Sequence, residues 1–547
     1  MNKSVYYSLL SVLPLVGCNQ TADKGDQKYN VLFIMADDLN DYQGIFGGHP
    51  DARTPNIDRL AAMGTQFVNA QTNCPLSQPS RNSLFTGVYP HSSRDFGWTP
   101  HFDNELLKDS KTFIEVFHEN GYKTIGSGKL LHADVPSLWD DWGEPRGINY
   151  GPSVSNGKEI TGHPSVPKVF REVNIVDGSF SSLANTPVFV NEKGDSVQGK
   201  WVLGKKEFRY VNDENRDLMP DERHVKWAVK KLKEMEESGQ KENFFMGIGL
   251  VKPHTPLYAP QKYFDMFPLD KIRLPKIKEN DMEDCHYKSV YPDSEMGIHY
   301  FQALKEAYGG TDEGLRKFLQ GYLACIAFMD DQVGVLLDAL ENSKFKDNTI
   351  VVFVSDHGWQ MGEKDYLYKN SPWEESARIP MLIYHPDMSK PGYKVKHPVS
   401  LIDMYPTLVD LCGLDFKPKT PQALTPEGHS MKGFIQNPEM KTWDGPNGAL
   451  TVTGVGINKP IEGLAVCSNP KALWHIKVLK PLGEEYVAKQ NYSYRTERWR
   501  YIMYHNGKEE LYDHDVDPYE WNNLADDPNC QEVKKQLHAE VVKLLYD

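Results

Sequence analysis

Hydrophobic positions along the chain follow two alternating patterns. Continuous apolar runs of strand length predict buried β-strands, and they occur at Val31–Ala36, in FFMGIGLV after Asn243 and in TIVVFV from Thr349. Apolar residues spaced three and four apart predict helices in TPNIDRLAAMG, in TFIEVFHENG, in PDERHVKWAVKKLKEM and in the long FLQGYLACIAFMDDQVGVLLDALENS. Strands that alternate with helices predict an α/β fold with a large, mainly parallel sheet.

Acidic residues follow two of the predicted strands directly. Asp37 and Asp38 end the first strand, and Asp356 with His357 ends a strand some 320 residues later. An isolated Asp-Asp pair is most simply a solvated turn, but parallel strands bring their carboxyl ends to one edge. Converging acids need a cation, because without one they take up protons. Carboxylate oxygens suit calcium or magnesium, whereas an imidazole more often indicates a softer metal.

Basic residues also follow predicted strands. They are Lys129, His132, Lys252, His254 and Lys369. Each one alone is most simply a surface residue. As a set beside a metal site, they can bind and polarise an oxyanion and supply two histidines that transfer protons near neutral pH.

Length and pattern predict two domains. A chain of 547 residues exceeds one ordinary core. Residues 133–220, rich in Gly, Pro and Trp, are interpreted as long insertions rather than a domain. The predicted division is a catalytic domain at 29–440 and a smaller α+β subdomain at 441–547, with strands in NYSYRTERWRYIMYHN and EELYDHDVDPYE and a helix from about 529.

The formal net charge of −14 does not favour a nucleic-acid partner. An anionic substrate would therefore need a local basic pocket. Seven cysteines are scattered, with no CxxC pair and no zinc-type spacing. Export would permit disulfides, but the sequence does not indicate which pairs form, if any.

The first residues, MNKSVYYSLLSVLPLVGCNQ, contain an apolar run too short to span a bilayer. An ordinary secretion signal is one interpretation. The ending LVGC more closely resembles a bacterial lipoprotein signal, which implies cleavage before Cys18, lipid on that cysteine, and a polar tether at 19–28. The protein would then be exported and lipid-anchored at the bacterial cell envelope, facing the periplasm or the surface, with the lipid as its one membrane contact.

The segment CPLSQPSRNSLFTG, Cys74 to Gly87, resembles the sulfatase signature, in which Cys or Ser precedes Pro at +2, Arg at +4 and Thr-Gly at +9 and +10. Ser77 as the first position fits throughout, whereas Cys74 fails twice. The resemblance extends from about 29 to 525 through NVLFIMADDLND, GSGKLLH, KPHTP and SDHGWQMGE, and it is greatest to iduronate-2-sulfatases. It implies a type I sulfatase with an alkaline-phosphatase-like fold.

The resemblance also implies the chemistry. A sulfated serine would be a stable ester, so these enzymes oxidise the residue to formylglycine (3-oxoalanine), whose hydrate can attack sulfur and later expel sulfate. One calcium ion would be held by Asp37, Asp38, Asp356, His357 and modified Ser77. Catalytic roles would fall to Arg81, which stabilises the ionised hydrate, to the sulfate-binding Lys129, His254 and Lys369, and to His132 as a base. His254 would protonate the leaving alcohol, shared in part with Lys369; Lys252 has no firm role.

A serine at this position implies a bacterial radical-type maturase as a partner. A host without it would yield folded but inactive protein.

Three functions stay open. The first is hydrolysis of sulfate esters on a sulfated carbohydrate, either a uronate 2-O-sulfate or an algal polysaccharide such as ulvan or carrageenan. The others are a phosphatase or phosphonate hydrolase of the same superfamily and an inactive lipoprotein that binds sulfated glycans. Trp139, Trp142, Trp474 and His475 are candidate sugar contacts, although core packing is the simpler role of each Trp.

Overall fold

The structure is a computed structural model that describes residues 28–133, 135–143, 149–190, 193–291, 295–454 and 484–546. The predicted signal, Cys18, the tether up to 27, Trp474 and His475 lie outside these residues. Among the described residues, none of the helices combines the length and apolarity that crossing a bilayer requires. Cysteines 285, 325, 412 and 530 are free thiols.

The strands, in chain order, are β1 (Asn30–Asp37), β2 (Thr65–Phe67), β3 (Ala70–Gln71), β4 (Lys123–Gly128), β5 (Asp141–Trp142), β6 (Ser153–Ser155), β7 (Ile160–Thr161), β8 (Phe180–Ser182), β9 (Val188–Val190), β10 (Ser196–Gln198), β11 (Lys200–Leu203), β12 (Lys206–Glu207), β13 (Phe244–Pro253), β14 (Leu257–Ala259), β15 (Thr349–Ser355), β16 (Arg378–Ile379), β17 (Met381–Tyr384), β18 (Tyr393–Val395), β19 (Val399–Ser400), β20 (Ala449–Thr453), β21 (Asn491–Arg495), β22 (Trp499–Met503) and β23 (Glu509–Asp513). The helices are α1 (Pro55–Met63), α2 (Ser77–Thr86), α3 (Pro90–Ser93), α4 (Phe113–Glu119), α5 (Lys168–Arg171), α6 (Pro220–Glu237), α7 (Gln261–Asp265), α8 (Met296–Ala307), α9 (Glu313–Glu341), α10 (Glu374–Ala377), α11 (Met404–Leu411), α12 (Lys432–Gln436) and α13 (Gln531–Tyr546).

An eight-stranded sheet forms the centre, in the order β18-β2-β17-β15-β1-β13-β4-β5. The pairs β15-β1, β1-β13, β13-β4, β4-β5 and β18-β2 are parallel, and β17 is antiparallel to both neighbours. The predicted mixed, mainly parallel sheet is confirmed. Because β1 lies between β15 and β13, the residues that follow these three strands meet at one edge.

Alternate residues of β1 enter two separate cores. Leu32, Ile34 and Ala36 pack with α6 and α9 on one face of the sheet. Val31, Phe33 and Met35 pack with α4 and α11 on the other. A strand covered on both faces is apolar at every position, which explains why its sequence showed a continuous run rather than alternation.

Within the segment predicted as long insertions, the described residues from 149 to 207 form short strands and helix α5. Strands β12, β11, β6 and β7 make one small sheet, and β8 pairs with β14, the strand after His254. Trp139 is 8% exposed and packs in the sheet core, so core packing is its role in the fold.

The C-terminal part is an antiparallel sheet in the order β20-β21-β22-β23, with α13 packed on β21 and β22. It joins the main sheet region through the segment just before Ser77. The Val452 N–H donates to the Asn73 carbonyl at 2.9 Å, and the Thr451 hydroxyl donates to the Thr72 carbonyl at 2.6 Å.

Candidate active site

Four buried residues at the carboxyl edge of the sheet form the centre of the site. Asp37 and Asp38 end β1, and Asp356 and His357 follow β15, whose Ser355 pairs with Ala36. One ligand atom from each of the four lies within 4.8 Å of the others, and all four side chains are fully buried. The structure therefore brings these acids together, as the sequence predicted.

The backbone after β1 turns sharply to direct Asp38 into this centre. Asp38 has φ of 60°, a left-handed conformation that costs a non-glycine residue energy. Two contacts hold the turn: the Asp38 N–H donates to Asp356 Oδ1 at 3.1 Å, and the Tyr322 hydroxyl on α9 donates to the Asp38 carbonyl at 2.7 Å.

Ser77 is the first residue of α2, and its hydroxyl faces the acids. Ser77 Oγ lies 2.9 Å from His357 Nε2 and 3.4 Å from Asp37 Oδ1. His357 Nδ1 lies 3.0 Å from the Gly358 carbonyl, so Nδ1 carries the proton and the Nε2 lone pair is directed at the centre. The positive end of the α2 dipole also faces this position, which favours negative charge on residue 77.

Arg81, one helical turn after Ser77, ties the two acid strands together. Its guanidinium donates to Asp37 Oδ1 at 2.9 Å and to Asp356 Oδ2 at 3.0 Å. It also donates to the Lys129 and Leu130 carbonyls at 2.5 and 2.8 Å. The arginine of the signature thus fixes three strand ends around residue 77.

Cys74 precedes α2 and lies with Leu76 in a hydrophobic cluster that includes residues of the C-terminal sheet. Ser77, not Cys74, contacts the acids. Gly87 ends α2 with φ of 71°, and a Cβ there would meet Pro426 and Tyr405. The glycine of the signature is therefore required by the backbone and by close packing.

Two buried lysines reach the same carboxylates. Lys129 Nζ lies 2.5 Å from Asp37 Oδ2, and Lys369 Nζ lies 2.7 Å from Asp38 Oδ1. With Arg81, three buried cations contact the three carboxylates. Both lysines were predicted for the site, and the structure places both in it.

His254 borders the centre, whereas Lys252 supports it from behind. His254 Nε2 lies 3.7 Å from Asp38 Oδ2. Lys252 donates to the carbonyls of Tyr150, His254 and Pro256 at 3.2, 3.0 and 2.5 Å. Lys252 therefore shapes the loop that carries His254, and its ammonium group is directed at backbone rather than at the acids.

Sequence reasoning missed two aromatic residues that pack against the site histidines. The Tyr150 ring lies 4.4 Å from the His254 ring, and Lys129 Nζ lies 4.9 Å from the Tyr150 centroid. The Trp98 ring lies 4.9 Å from the ring of His132, which is half-buried. Both aromatics lie on loops without a recognisable pattern, so no signal in one sequence singled them out.

Burial and charge set the protonation states. Burial, with the charges of Asp37 and Asp356, raises the pKa of Asp38 to about 8 even though Lys369 opposes it. Burial would also raise the pKa of Asp37, but Lys129 and Arg81 hold it well below its usual range. Burial, with Lys369 and Lys129 nearby, lowers the pKa of His254 well below its usual value. Burial with Lys129 and Arg81 does the same to the pKa of His132.

The four central residues fit a single cation. Asp38 Oδ2 is buried and has no hydrogen-bond partner, which is costly unless something else satisfies it. Ligands of a calcium ion lie 2.3–2.6 Å from it, so oxygens on opposite sides are about 5 Å apart. A set within 4.8 Å can therefore share one ion.

A buried hydroxyl, a cation site and surrounding lysines and histidines at the carboxyl edge of a mixed sheet define an ester hydrolase of the alkaline-phosphatase-like fold. Comparison with protein families identifies the group within that fold. The sulfatase family model matches residues 29–414, and the model for the C-terminal region of N-sulphoglucosamine sulphohydrolase matches residues 478–547. The chain belongs to the sulfatase family and is a hydrolase of sulfate esters.

Curated relatives and solved structures agree with this assignment. A sulfatase of Formosa agariphila is 31% identical over 98% of this chain and 91% of its own length. Human iduronate 2-sulfatase is 27% identical over 76% of this chain and 74% of its own length.

Two solved structures share the fold. One is a phosphonate monoester hydrolase of Agrobacterium radiobacter, with TM-score 0.66, 21% identity and coverage of 94% of this chain and 95% of that one. The other, solved in complex with D-glucosamine-2-N,6-O-disulfate, has TM-score 0.62, 20% identity and coverage of 95% and 98%. At these identities the likeness establishes the fold alone.

Proposed function

We propose that the protein removes sulfate from a sulfated carbohydrate and that Ser77 becomes reactive after oxidation to formylglycine. The observation that carries this proposal is the position of Ser77 Oγ, 2.9 Å from His357 Nε2 inside the ring of acids. Unmodified serine would form a sulfate ester with no group on the side chain to expel it. An aldehyde at residue 77 would supply, once hydrated, one hydroxyl for attack and a second for release.

We propose Asp37, Asp38, Asp356, His357 and residue 77 as ligands of one calcium ion. Three carboxylates favour a hard cation, and His357 is the ligand that fits calcium least well. Such a cation supplies, when bound, polarisation of a sulfate oxygen and a lower pKa for a neighbouring hydroxyl. Even with all three carboxylates ionised, their charges equal those of the three buried cations, so a divalent ion would leave the site positive and suited to a sulfate ester.

The chain's own residues then have separable tasks. Lys129 and Lys369 are within reach of an anion that replaces their carboxylate contacts, and Arg81 holds the acids in place. His132 is the candidate base, because burial with Lys129 and Arg81 lowers its pKa and favours the neutral form. His254 is the candidate acid for the leaving alcohol, since a bound sulfate beside its ring favours the protonated form.

The substrate that we propose is a sulfated glycan outside the cell. Relatives include an ulvan-active sulfatase of Formosa agariphila and an N-acetylglucosamine-6-O-sulfatase of Bacteroides thetaiotaomicron, each matching 98–99% of this chain at 24–25% identity. Export through a lipid on Cys18 and maturation by a radical-type enzyme are part of the same proposal.

Two measurements test it. Mass spectrometry of the peptide that contains Ser77, from a host with a serine-type maturase, should show the loss of two hydrogen atoms. The modified enzyme should release sulfate from defined sulfated oligosaccharides and not phosphate from matched esters. Equal turnover by unmodified protein would refute the role of the aldehyde, and preference for phosphate or phosphonate esters would favour the alternative activity of this fold.

A further inference from the structure

Helix α6 carries a row of cations on one exposed face. Arg223, Lys226, Lys230 and Lys233 are spaced three or four residues apart along Pro220–Glu237, so they project to the same side. The opposite face is buried in the core through Val225, Ala228, Leu232 and Met235. The row therefore places four positive side chains along one face of a helix, in a chain with a net charge of −14.

These cations border a shallow groove rather than a flat surface. A cavity of about 730 Å³ is lined by the four of them and by Leu218, Trp227 and Val229. Trp227 is half-buried, and its indole packs against Gly143. An apolar floor with an aromatic ring suits the face of a sugar, and a basic rim suits acidic substituents on it.

The rim charges are available to a ligand. Among the described residues, Arg223 and Lys226 form no ion pair, and the Arg223 Nε–H donates to the Leu218 carbonyl at 3.0 Å. Lys230 and Lys233 pair only with Glu234 and Glu237 one turn away, at 3.3 and 3.7 Å, with the lysines about three-quarters exposed. Exposed pairs of this kind are weak and exchange readily for a multivalent anion.

The groove begins beside the active site. Asp221, in the first turn of α6, accepts the N–H groups of Val251 and Lys252 at 2.8 and 3.0 Å, which fixes this turn to the strand end that leads to His254. Met219, next to the groove residue Leu218, lies against Gly151 in the loop that carries Tyr150. From Arg223 the groove follows α6 for about 15 Å toward Lys233.

We propose that this groove is a second binding site, which holds a further stretch of a sulfated polysaccharide chain whose end occupies the active site. The inference rests on the proposed function, since it assumes a sulfated carbohydrate substrate. A single narrow chain fits a groove on one helix, whereas the net charge of −14 disfavours the approach of a DNA duplex or an anionic bilayer.

Binding to a defined polyanion tests the site without turnover. The parent protein carries Ser77→Ala, and the probe is dextran sulfate, titrated by calorimetry at low and moderate salt. The double variant Arg223→Glu, Lys226→Glu should bind at least ten-fold more weakly than the parent, and the parent's affinity should fall as salt rises. The matched control is the double variant Lys206→Glu, Lys508→Glu, which reverses the charge of two exposed lysines outside the groove. It should bind dextran sulfate as tightly as the parent does.

Equal weakening by the groove variant and the control would overturn the proposal, because it would show a general charge effect. Duplex DNA binding as tightly as dextran sulfate, with the same dependence on Arg223 and Lys226, would overturn the ligand class. Thermal unfolding checks that the variants fold. If the double variant does not fold, the binding measurement uses Lys226→Gln instead. Because the assay needs no hydrolysis, failure of the groove and failure of the sulfatase mechanism are observed separately.

Discussion

Arg500 provides the sharpest test of how the C-terminal sheet is joined to the catalytic part. This arginine on β22 is fully buried and forms ion pairs with Glu374 on α10 and with Glu520. It also donates to Ser493 Oγ at 2.7 Å and to the Pro372 carbonyl at 3.2 Å. The perturbation is Arg500→Met, which keeps much of the volume and removes the charge.

The expected cost follows from two independent arguments. Removing one partner of a buried ion pair typically destabilises a protein by about 3–5 kcal/mol. Although burial opposes it, Arg500 with His514 lowers the pKa of Glu520 from 4.5 to about 2. A difference of that size corresponds to roughly 3 kcal/mol of stability at neutral pH. We therefore expect Arg500→Met to lower the free energy of unfolding by about 3–5 kcal/mol. The remaining contact between His514 and Glu520 should reduce this loss.

The assay is urea unfolding followed by tryptophan fluorescence, with Arg498→Met as the matched control. Arg498 lies two residues away and pairs with Asp513 at 2.6 Å, but its side chain is 51% exposed, so solvent screens the pair. The midpoint should fall clearly for Arg500→Met and barely for Arg498→Met. Equal shifts in the two variants would refute the argument from burial.

The pH dependence has a definite sign. Because the pKa of Glu520 is lower in the folded protein, its contribution is complete above about 4.5 and is lost as the pH falls toward 2. The stability difference between the parent and Arg500→Met should therefore narrow over that range. A difference that stays constant down to pH 3 would contradict the assignment of the stabilisation to Glu520.

Three further predictions concern the active site. At 100 times its Kd, calcium is expected to stabilise the parent protein by about 2.7 kcal/mol if it binds at the proposed site, and Asp38→Asn should abolish this gain. An unchanged gain would exclude Asp38 as a ligand. Tyr150→Ala should lower kcat at least ten-fold and shift the pH profile of kcat. Tyr150→Phe should keep the parent's kcat and pH profile, because the ring rather than the hydroxyl packs against His254. A loss of kcat in both variants would contradict this role. In enzyme that carries formylglycine at residue 77, Cys74→Ala should keep turnover and should lose about 1 kcal/mol of stability, because it leaves a small cavity in the core. Loss of turnover at normal stability would indicate that the Cys74 thiol takes part in catalysis.

Sequence alone predicted those parts of the fold that repeat along the chain. The continuous apolar run before Asp37 and the one before Asp356 each gave a strand, because a central parallel strand is apolar on both faces. The position of Arg81 four residues after Ser77 followed from the signature. The contacts of Arg81 could not be predicted, because its hydrogen bonds to Asp37, Asp356 and two carbonyls depend on three strands that are distant in sequence.

Residues that act through distant contacts could not be predicted. Tyr150 lies in a segment interpreted as an insertion, and only the folded chain brings its ring onto His254. Tyr322 lies within a long amphipathic helix and looks like any core aromatic, yet its hydroxyl supports the turn at Asp38. Lys252 was left without a role because a lysine directed at carbonyls and one directed at substrate have the same sequence pattern.

An acidic protein that acts on an anion needs its positive charge in the right place rather than in excess. The net charge of −14 is spread largely over exposed side chains, where salt screens it within about 8 Å. Arg81, Lys129 and Lys369 are buried, so their fields act on the site at low effective dielectric and reach a bound sulfate with little loss. A bound divalent cation would favour the ionised form of Asp38 and would add two positive charges, so the site would become more attractive to sulfate. Occupancy of the cation site should therefore control substrate affinity as well as the chemical step.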